Sequence, residues 1–321
     1  MNIHRRQMLR YAALGAAPLL PSAALAETWP ARPLRIVHGY DSGSNPDTIS
    51  RIIAPVMSEQ LGQPIVVEAR PGAAGRIAAS QVAKQPGDGY TLLMLTAGDA
   101  VIAALDPRVP YKLLQDFSFV SAVTEFPFLF CVSANSPIRS LADLLTEAKK
   151  RPGELSYGTP GLGTTHSLGG ELLQEMTGAQ MLHVPYKGNA FQDLLGGRVD
   201  FLIATPSVSL PLIQSGRVRA IAVTSRTPHP ALPDATPVDR LVPGYEVNSW
   251  LGLAVPKSTP GERMQRLAAT VQAATSAEQV RTALQGAGSA VATAGSEAFR
   301  ARIEGDVKKW TALSGRVKLE S

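Results

Sequence analysis

The sequence predicts an α/β protein built as two lobes, and three observations carry that prediction. Short β-branched runs alternate with amphipathic stretches, the alternation restarts after Val120, and each half has one strand followed by a loop rich in small residues. Alternating strands and helices with short turns imply a mostly parallel sheet covered on both faces. Ligands of open α/β sheets sit beyond the carboxyl ends of the strands. Two such loops therefore point to one cleft between two lobes.

In the first half, Leu34–Val37 reads as a strand. The segment from Pro46 or Asp47 to Leu61 reads as a helix, with Ile49, Ile52, Ile53, Val56, Met57 and Leu61 on one face and a kink expected at Pro55. Ile65–Glu68 is a second strand, and residues 74–84 are a helix stopped by Pro86-Gly87-Asp88-Gly89. Tyr90–Leu95 is a third strand, ending at residues 96–99. In the second half, Phe126–Val132 reads as one buried strand carrying Cys131. Ser140 is a candidate N-cap for a helix over Leu141–Lys150. A strand at Leu155–Tyr157 leads through a loop into a helix over residues 166–176. Further strands are expected at 181–184, 201–204, 218–223 and 250–255, and helices at 261–274, 278–285 and 296–313. No repeat of 20–50 residues is visible.

The chain has 321 residues, 31 Lys+Arg against 26 Asp+Glu, a formal charge of +5 and one cysteine. The length suits two domains, and a lone cysteine excludes a disulfide framework or a structural zinc cluster. A pI near 9.4 invites a nucleic-acid reading, so the location of the positive charge matters. Arg5, Arg6 and Arg10 precede an apolar run and a small-x-small end at Ala24-Leu25-Ala26, the pattern of a secretory signal cleaved near Ala26. Its apolar core is shorter than the roughly 20 residues that span a bilayer. The Arg5-Arg6 pair leaves both the general secretory and the twin-arginine route open. Removing residues 1–26 removes three arginines and no acid, which leaves 28 basic against 26 acidic side chains and a net charge of +2. No basic stripe with interleaved aromatics remains, so nucleic acid drops out as a partner and the mature chain is expected in the periplasm.

The first loop runs from His38 to Asp47 and contains Gly39, Tyr40, Asp41, Ser42, Gly43, Ser44 and Asn45. The second, residues 158–166, contains Thr159, Gly161, Gly163, Thr164 and His166. Glycine lets backbone approach a ligand, short hydroxyls and amides supply donors, and free N–H groups at a helix start favour an anion. Neither loop carries G-x-G-x-x-G or a P-loop, so no dinucleotide or nucleotide cofactor is expected. No G-x-S-x-G elbow is present, and His38, His166, His183 and His229 lack metal-ligand spacing and read as structural or surface residues. Cys131 in an apolar strand reads as an inert core thiol. A cleft with anion-holding loops and no nucleophile, metal or cofactor motif reads as a binder with no catalytic residues.

Several runs resemble one known family. These are residues 29–37 at the mature start, 61–68 with Arg70-Pro71-Gly72-Ala73-Ala74-Gly75, and Asp88-Gly89-Tyr90-Thr91-Leu92-Leu93. The most specific is His183-Val184-Pro185-Tyr186-Lys187-Gly188, followed by residues 193–200, 219–224, 232–234 and 250–253. Together they resemble the Bug-type extracytoplasmic solute receptors of tripartite tricarboxylate transporters over essentially the whole mature chain. The resemblance implies a two-lobed type II periplasmic-binding (Venus-flytrap) fold that closes on a small organic carboxylate. Residues 27–122 with 240–321 would form lobe one, and 123–239 lobe two. It implies that the two loops hold one carboxylate through backbone amides, small hydroxyls and ordered waters. Carried over, that implicates Tyr40, Ser42, Gly43, Ser44, Asn45 and Asp47, then Thr159, Gly161, Gly163, Thr164 and His166. Thr96, Gly98 and Asp99 would line the cleft from lobe one, and Thr205 and Pro206 from lobe two. The implied partners are the ligand and the membrane permease subunits, with the receptor acting as a monomer. Lys187 is expected either to steer anions or to sit solvated beside a turn.

Two positions depart from the family's pattern. Asp41 enters a loop that is usually small and uncharged, and Asp99 stands where a small hydroxyl or amide residue is common. A carboxylate facing a carboxylate ligand is unfavourable by roughly 1 kcal/mol or more unless paired or solvated. Either both aspartates point to water or cap helices, or the ligand also carries a cationic or hydrogen-bond-donating part. A receptor feeding a membrane sensor is an alternative reading. A secreted α/β hydrolase would need a nucleophile–base pair, and a LysR-type effector domain a DNA-binding helix-turn-helix.

Overall fold

Two six-stranded sheets are laid out on the same plan. The computed structural model describes residues 28–188 and 190–313, so the export signal expected at 1–26 lies outside the described residues. The first sheet contains β1 (Leu34–His38), β2 (Ile65–Ala69), β3 (Thr91–Thr96), β4 (Phe117–Pro127), β11 (Asn248–Pro256) and β12 (Ala290–Ala294). The second contains β5 (Leu129–Ser133), β6 (Ser156–Thr159), β7 (Leu182–Pro185), β8 (Phe201–Ala204), β9 (Val218–Val223) and β10 (Thr236–Pro237). Their orders, read from one edge, are β2-β1-β3-β11-β4-β12 and β7-β6-β8-β5-β9-β10. Strands β1 and β6 thus hold the same place in the two sheets, and so do the loops that leave them.

The sheets are mixed, which corrects the expectation of mostly parallel ones. Parallel pairing is confined to β2-β1-β3, β7-β6-β8 and β9-β10. Strand β11 runs antiparallel to β3 and β4, and β5 runs antiparallel to β8 and β9. The cause is the crossing between sheets: β4 leads out of the first sheet directly into β5, and β11 brings the chain back. Expected as one strand over Phe126–Val132, this region is instead the end of β4, a break at Phe128, and β5. The first sheet therefore keeps the chain to Pro127 and regains it at Asn248, later than the expected switches at 122 and 240.

Most helices lie where periodicity puts them: α1 (Asn45–Leu61), α5 (Leu141–Lys150), α6 (Thr165–Thr177), α9 (Gly261–Ser276), α10 (Glu278–Gly286) and α11 (Ser296–Leu313). The Ser140 hydroxyl accepts from the Asp143 amide, as an N-cap should. Helix α1 runs on through Pro55. The second expected helix begins with a 3-10 turn at Ala73–Gly75 and continues as α2 (Arg76–Ala83). Four helices were not anticipated: α3 (Ala97–Leu105), α4 (Leu113–Asp116), α7 (Phe191–Leu195) and α8 (Pro206–Gln214). The first turns and the middle of α3 are buried on every side, which erases the 3.6-residue signal. Pro206 and Pro211 disguise α8.

One apolar cluster runs from α1 through Leu251 and Leu253 of β11 to Phe128, Phe130, Tyr157 and Phe201 in the second sheet. A second cluster seats α11 on the first sheet, with Phe299 and Ile303 against Phe119 and Trp250. Trp250 Nε1 donates to Asp306 at 2.7 Å, which fixes the helical tail. Cys131 is buried, and burial pushes its thiol up to about 12, as expected of a core residue.

The two crossing segments are tied at one residue. Buried Thr224 exchanges backbone bonds with Phe128 and Val247, and its hydroxyl accepts from Phe128 N at 2.7 Å while donating to Val247 O at 2.5 Å. Thr224→Val keeps the shape and leaves a buried amide and carbonyl unpaired. It should lower stability by about 1–3 kcal/mol, read as a shift in the urea midpoint at unchanged slope. No loss would show that the hydroxyl does not hold the crossing.

Candidate functional site

The carboxyl ends of β1, β3, β6 and β8 open on one cavity of about 850 Å³ between the two sheets. Each of these strands turns into a helix, so the starts of α1, α3, α6 and α8 surround the space. Unpaired N–H groups and the positive ends of helix dipoles favour an anion there.

The first loop takes its shape from glycine and from Asp47. A β-carbon on Gly39 would overlap the backbone of Gly75, so only glycine lets the loop lie against the turn before α2. Gly43 adopts φ +80°. The Asp47 carboxylate accepts from Gly43 N at 2.9 Å, approaches His38 Nε2 at 3.1 Å and pairs with Arg51 at 3.0 Å. Burial would raise this carboxyl, but bonds from Arg51, the Gly43 amide and His38 outweigh it and hold it below the usual range. With Asp47 so engaged, the next polar groups are left over. Ser44 Oγ and both amide atoms of Asn45 are buried at the cavity wall with no partner.

The second loop mirrors the first. Thr164 caps α6, accepting from Ser167 N at 3.2 Å and donating to Gly161 O at 2.8 Å. Gly161 and Gly163 take φ +132° and +76°. Thr159 Oγ1 meets His183 Nε2 at 2.7 Å, and His183 stacks on Tyr157, so this histidine is structural. Thr165 Oγ1, at the first position of α6, is again buried without a partner. Buried polar groups are normally satisfied, at a cost of about 1–3 kcal/mol when they are not. Unpaired buried polar groups thus stand at two helix starts on one cavity.

Contacts across the cavity bring the lobes together. A β-carbon added at Gly98 would lie 3.8 Å from Thr164 Cα, one at Gly161 3.9 Å from Ala74 Cβ, and one at Gly188 3.4 Å from Asp41 Oδ2. The turn at Ala73 and Ala74, at φ +48° and +53°, is held in a left-handed conformation that non-glycine residues rarely adopt. Tyr40 OH reaches Ala74 O at 3.4 Å.

Twelve of the sixteen residues proposed from sequence line this cavity: Tyr40, Ser42, Gly43, Ser44, Asn45, Thr96, Gly98, Thr159, Gly161, Thr164, His166 and Thr205. Asp47, Asp99, Gly163 and Pro206 do not. Asp47 turns inward to brace the loop, Gly163 shapes the second loop, and Pro206 packs near Gly288. Asp99 closes a capping box, its carboxylate accepting from Thr96 N at 2.8 Å and Thr96 Oγ1 at 3.1 Å. Asp41 does line the cavity, at a partly exposed place beside Gly188 of the other lobe. One aspartate therefore caps a helix and the other faces the cleft.

Residues that gained no role from spacing also line the site, among them Arg76, Ile77, Phe126, Thr165, Phe191 and Ser249. The Pro71–Ala74 and Tyr186–Gly188 runs line it as well, although periodicity gave them no function. The glycines in those runs were the available signal. Lys187 is exposed at the rim. His166 packs at a tilt against Phe128, with ring centres 4.1 Å apart, and desolvation lowers it to about 3, so it faces the cavity neutral.

Burial raises Asp99 to about 6 from an ordinary 3.8, against the pull of its Thr96 bonds. The folded protein thus binds a proton on Asp99 between those values that the unfolded chain lacks, so stability from this group rises as pH falls through that window. Comparing the melting temperatures of wild type and Asp99→Asn from pH 7.5 to 4.5 tests this. Wild type should gain on the variant as pH falls from about 7 to about 5; parallel profiles would refute the shift.

Among the described residues no helix is long and apolar enough to cross a membrane, and no group of three or more His, Cys, Asp or Glu could hold a metal ion. Residues 49–319 match the model of the tripartite tricarboxylate transporter family receptor. Protein BugT of Bordetella pertussis is 34% identical over 295 residues, covering 90% of each chain. Among solved structures, Rpa4515 of R. palustris with adipate has a TM-score of 0.86 at 34% identity, over 90% of this chain and 98% of that one. MatC of Rhodopseudomonas palustris with bound malate has a TM-score of 0.83 at 28% identity, over 89% and 100%.

Proposed function

The chain belongs to the tripartite tricarboxylate transporter receptor family, and from that membership we propose that it is a periplasmic receptor that captures a small organic carboxylate between its lobes and hands it to the transporter's permease subunits. The observation that carries the reading is the set of unpaired buried donors at the starts of α1 and α6, with Ser44 and Asn45 on one lobe and Thr165 on the other. A carboxylate has about four lone-pair sites to satisfy, and hydroxyls, amide N–H groups and helix starts supply them without a formal cation. Donors on both lobes would make the closed arrangement the one with more ligand contacts, and only such a difference shifts open to closed. The ligands of the adipate-bound and malate-bound relatives belong to the same chemical class.

Catalysis has no place in this reading. His166 is a weak base at about 3, and no nucleophile pairs with it among the described residues. Export by either route would end in cleavage near Ala26, and the mature receptor would act as a monomer.

Calorimetry on the mature chain with a panel of mono-, di- and tricarboxylates tests the proposal. Saturable one-to-one binding by at least one acid is expected. Asn45→Ala should weaken it about tenfold or more, as loss of a hydrogen bond to a charged group does. An absence of binding across the panel, or full affinity in the variant, would refute the reading.

A further inference from the structure

We infer that Leu168 is an apolar latch between the lobes: closure seats it against Val101 and Trp310 of lobe one, so part of the closed receptor's stability comes from a contact the ligand never touches. The inference rests on the receptor reading and adds what sets its balance between open and closed.

Leu168 belongs to α6 of lobe two and is 1% exposed. The buried cluster that holds it otherwise consists of Val101 of α3 and Trp310 of α11, with Ala104 and Leu105 packed against them. Among the described residues, every other member of that cluster therefore comes from lobe one. The rest of α6 packs on its own sheet, against β6 and β8, and its Leu173 joins the continuous core with Tyr157 and Phe201. Between the two sheets the chain crosses only where β4 passes into β5 and where it returns into β11. Opening the cleft about those crossings would draw Leu168 out of its seat and into water.

The helix geometry ties this seat to the ligand site. Thr165, buried and unpaired at the cavity, stands three residues before Leu168 and so shares its side of α6. On the facing lobe the same spacing separates Gly98, which lines the cavity alongside Thr164, from Val101. The two helix starts thus meet in a ladder, with cavity-lining groups on the first rung and an apolar contact on the second. A rigid helix turn cannot bring Thr165 to the ligand without carrying Leu168 to Val101 and Trp310. None of these three apolar residues lines the cavity. Burying Leu168 favours the closed state whether or not a ligand is present. Apparent affinity scales with the fraction of protein in the binding-competent state, so the latch tightens binding without a ligand contact.

Calorimetry with adipate and with malate on wild type, Leu168→Ala and Leu173→Ala provides the test, alongside small-angle scattering of the same proteins free of acid. Leu168→Ala should bind either acid about tenfold more weakly than wild type, chiefly through faster release. Leu173→Ala, which opens a cavity in the core instead, should lower the urea midpoint and keep affinity within about twofold. Without acid, Leu168→Ala should have the larger radius of gyration. Leu168→Cys serves if the alanine variant fails to fold, because Cys131 is buried and leaves the introduced thiol as the one that reacts. Bound acid should slow modification of that thiol at least about tenfold. Unchanged affinity in folded Leu168→Ala would overturn the latch, as would thiol modification that bound acid leaves unchanged. Binding of neither acid counts against the receptor reading and leaves scattering to decide the latch, which an unchanged radius overturns.

Discussion

Helix starts from two separate sheets converge on a single cavity, and much of the local structure follows from keeping their donors free. A parallel strand that turns into a helix always presents the helix N-terminus at the strand's carboxyl end. Here that happens at β1, β3, β6 and β8, so positive dipole ends surround the space from both lobes. Such a surface attracts anions with few charged side chains on the wall. It also explains why polar groups that any ordinary turn would satisfy, at Ser44, Asn45 and Thr165, are left unpaired.

The supporting residues keep those donors available. Asp47 takes the Gly43 amide, His38 and Arg51, which braces the first loop from behind rather than from the cavity. Asp99 does the equivalent for α3 by closing a capping box. Two carboxylates that would oppose an anion in the cleft are thereby turned to internal work. Glycine supplies the close approach of Gly39 against Gly75 within a lobe. The continuous core and the Thr224 clasp then hold the two sheets in register where the chain crosses.

Much of this was legible in residues and spacing. The β1 and β6 strands, their small-residue loops and the amphipathic helices α1, α6 and α9 were readable because half-buried elements print their periodicity. The misreadings have physical causes. The break at Phe128 interrupts an otherwise continuous apolar run, so two strands of opposite sheets look like one. Helix α3 is buried around its first turns and loses its polar stripe, and prolines disguise α8. Asp47 and Asp99 lie in the first turns of α1 and α3 beside the site, and nothing in a linear sequence says which way a side chain turns.

The amino-acid sequence alone determined the α/β class, the two-part organisation, the absence of a cofactor motif and the two loops with anion-binding chemistry. These are local properties, set by propensity, spacing and turn residues within about ten positions of each other. Only the tertiary structure decided which of those residues share the cavity, and that Asp99 caps while Asp41 faces the cleft. Which residues share the cavity depends on contacts between segments far apart in the chain, such as Asp41 beside Gly188. They are fixed by packing and by competition for hydrogen-bond partners, neither of which a local pattern records.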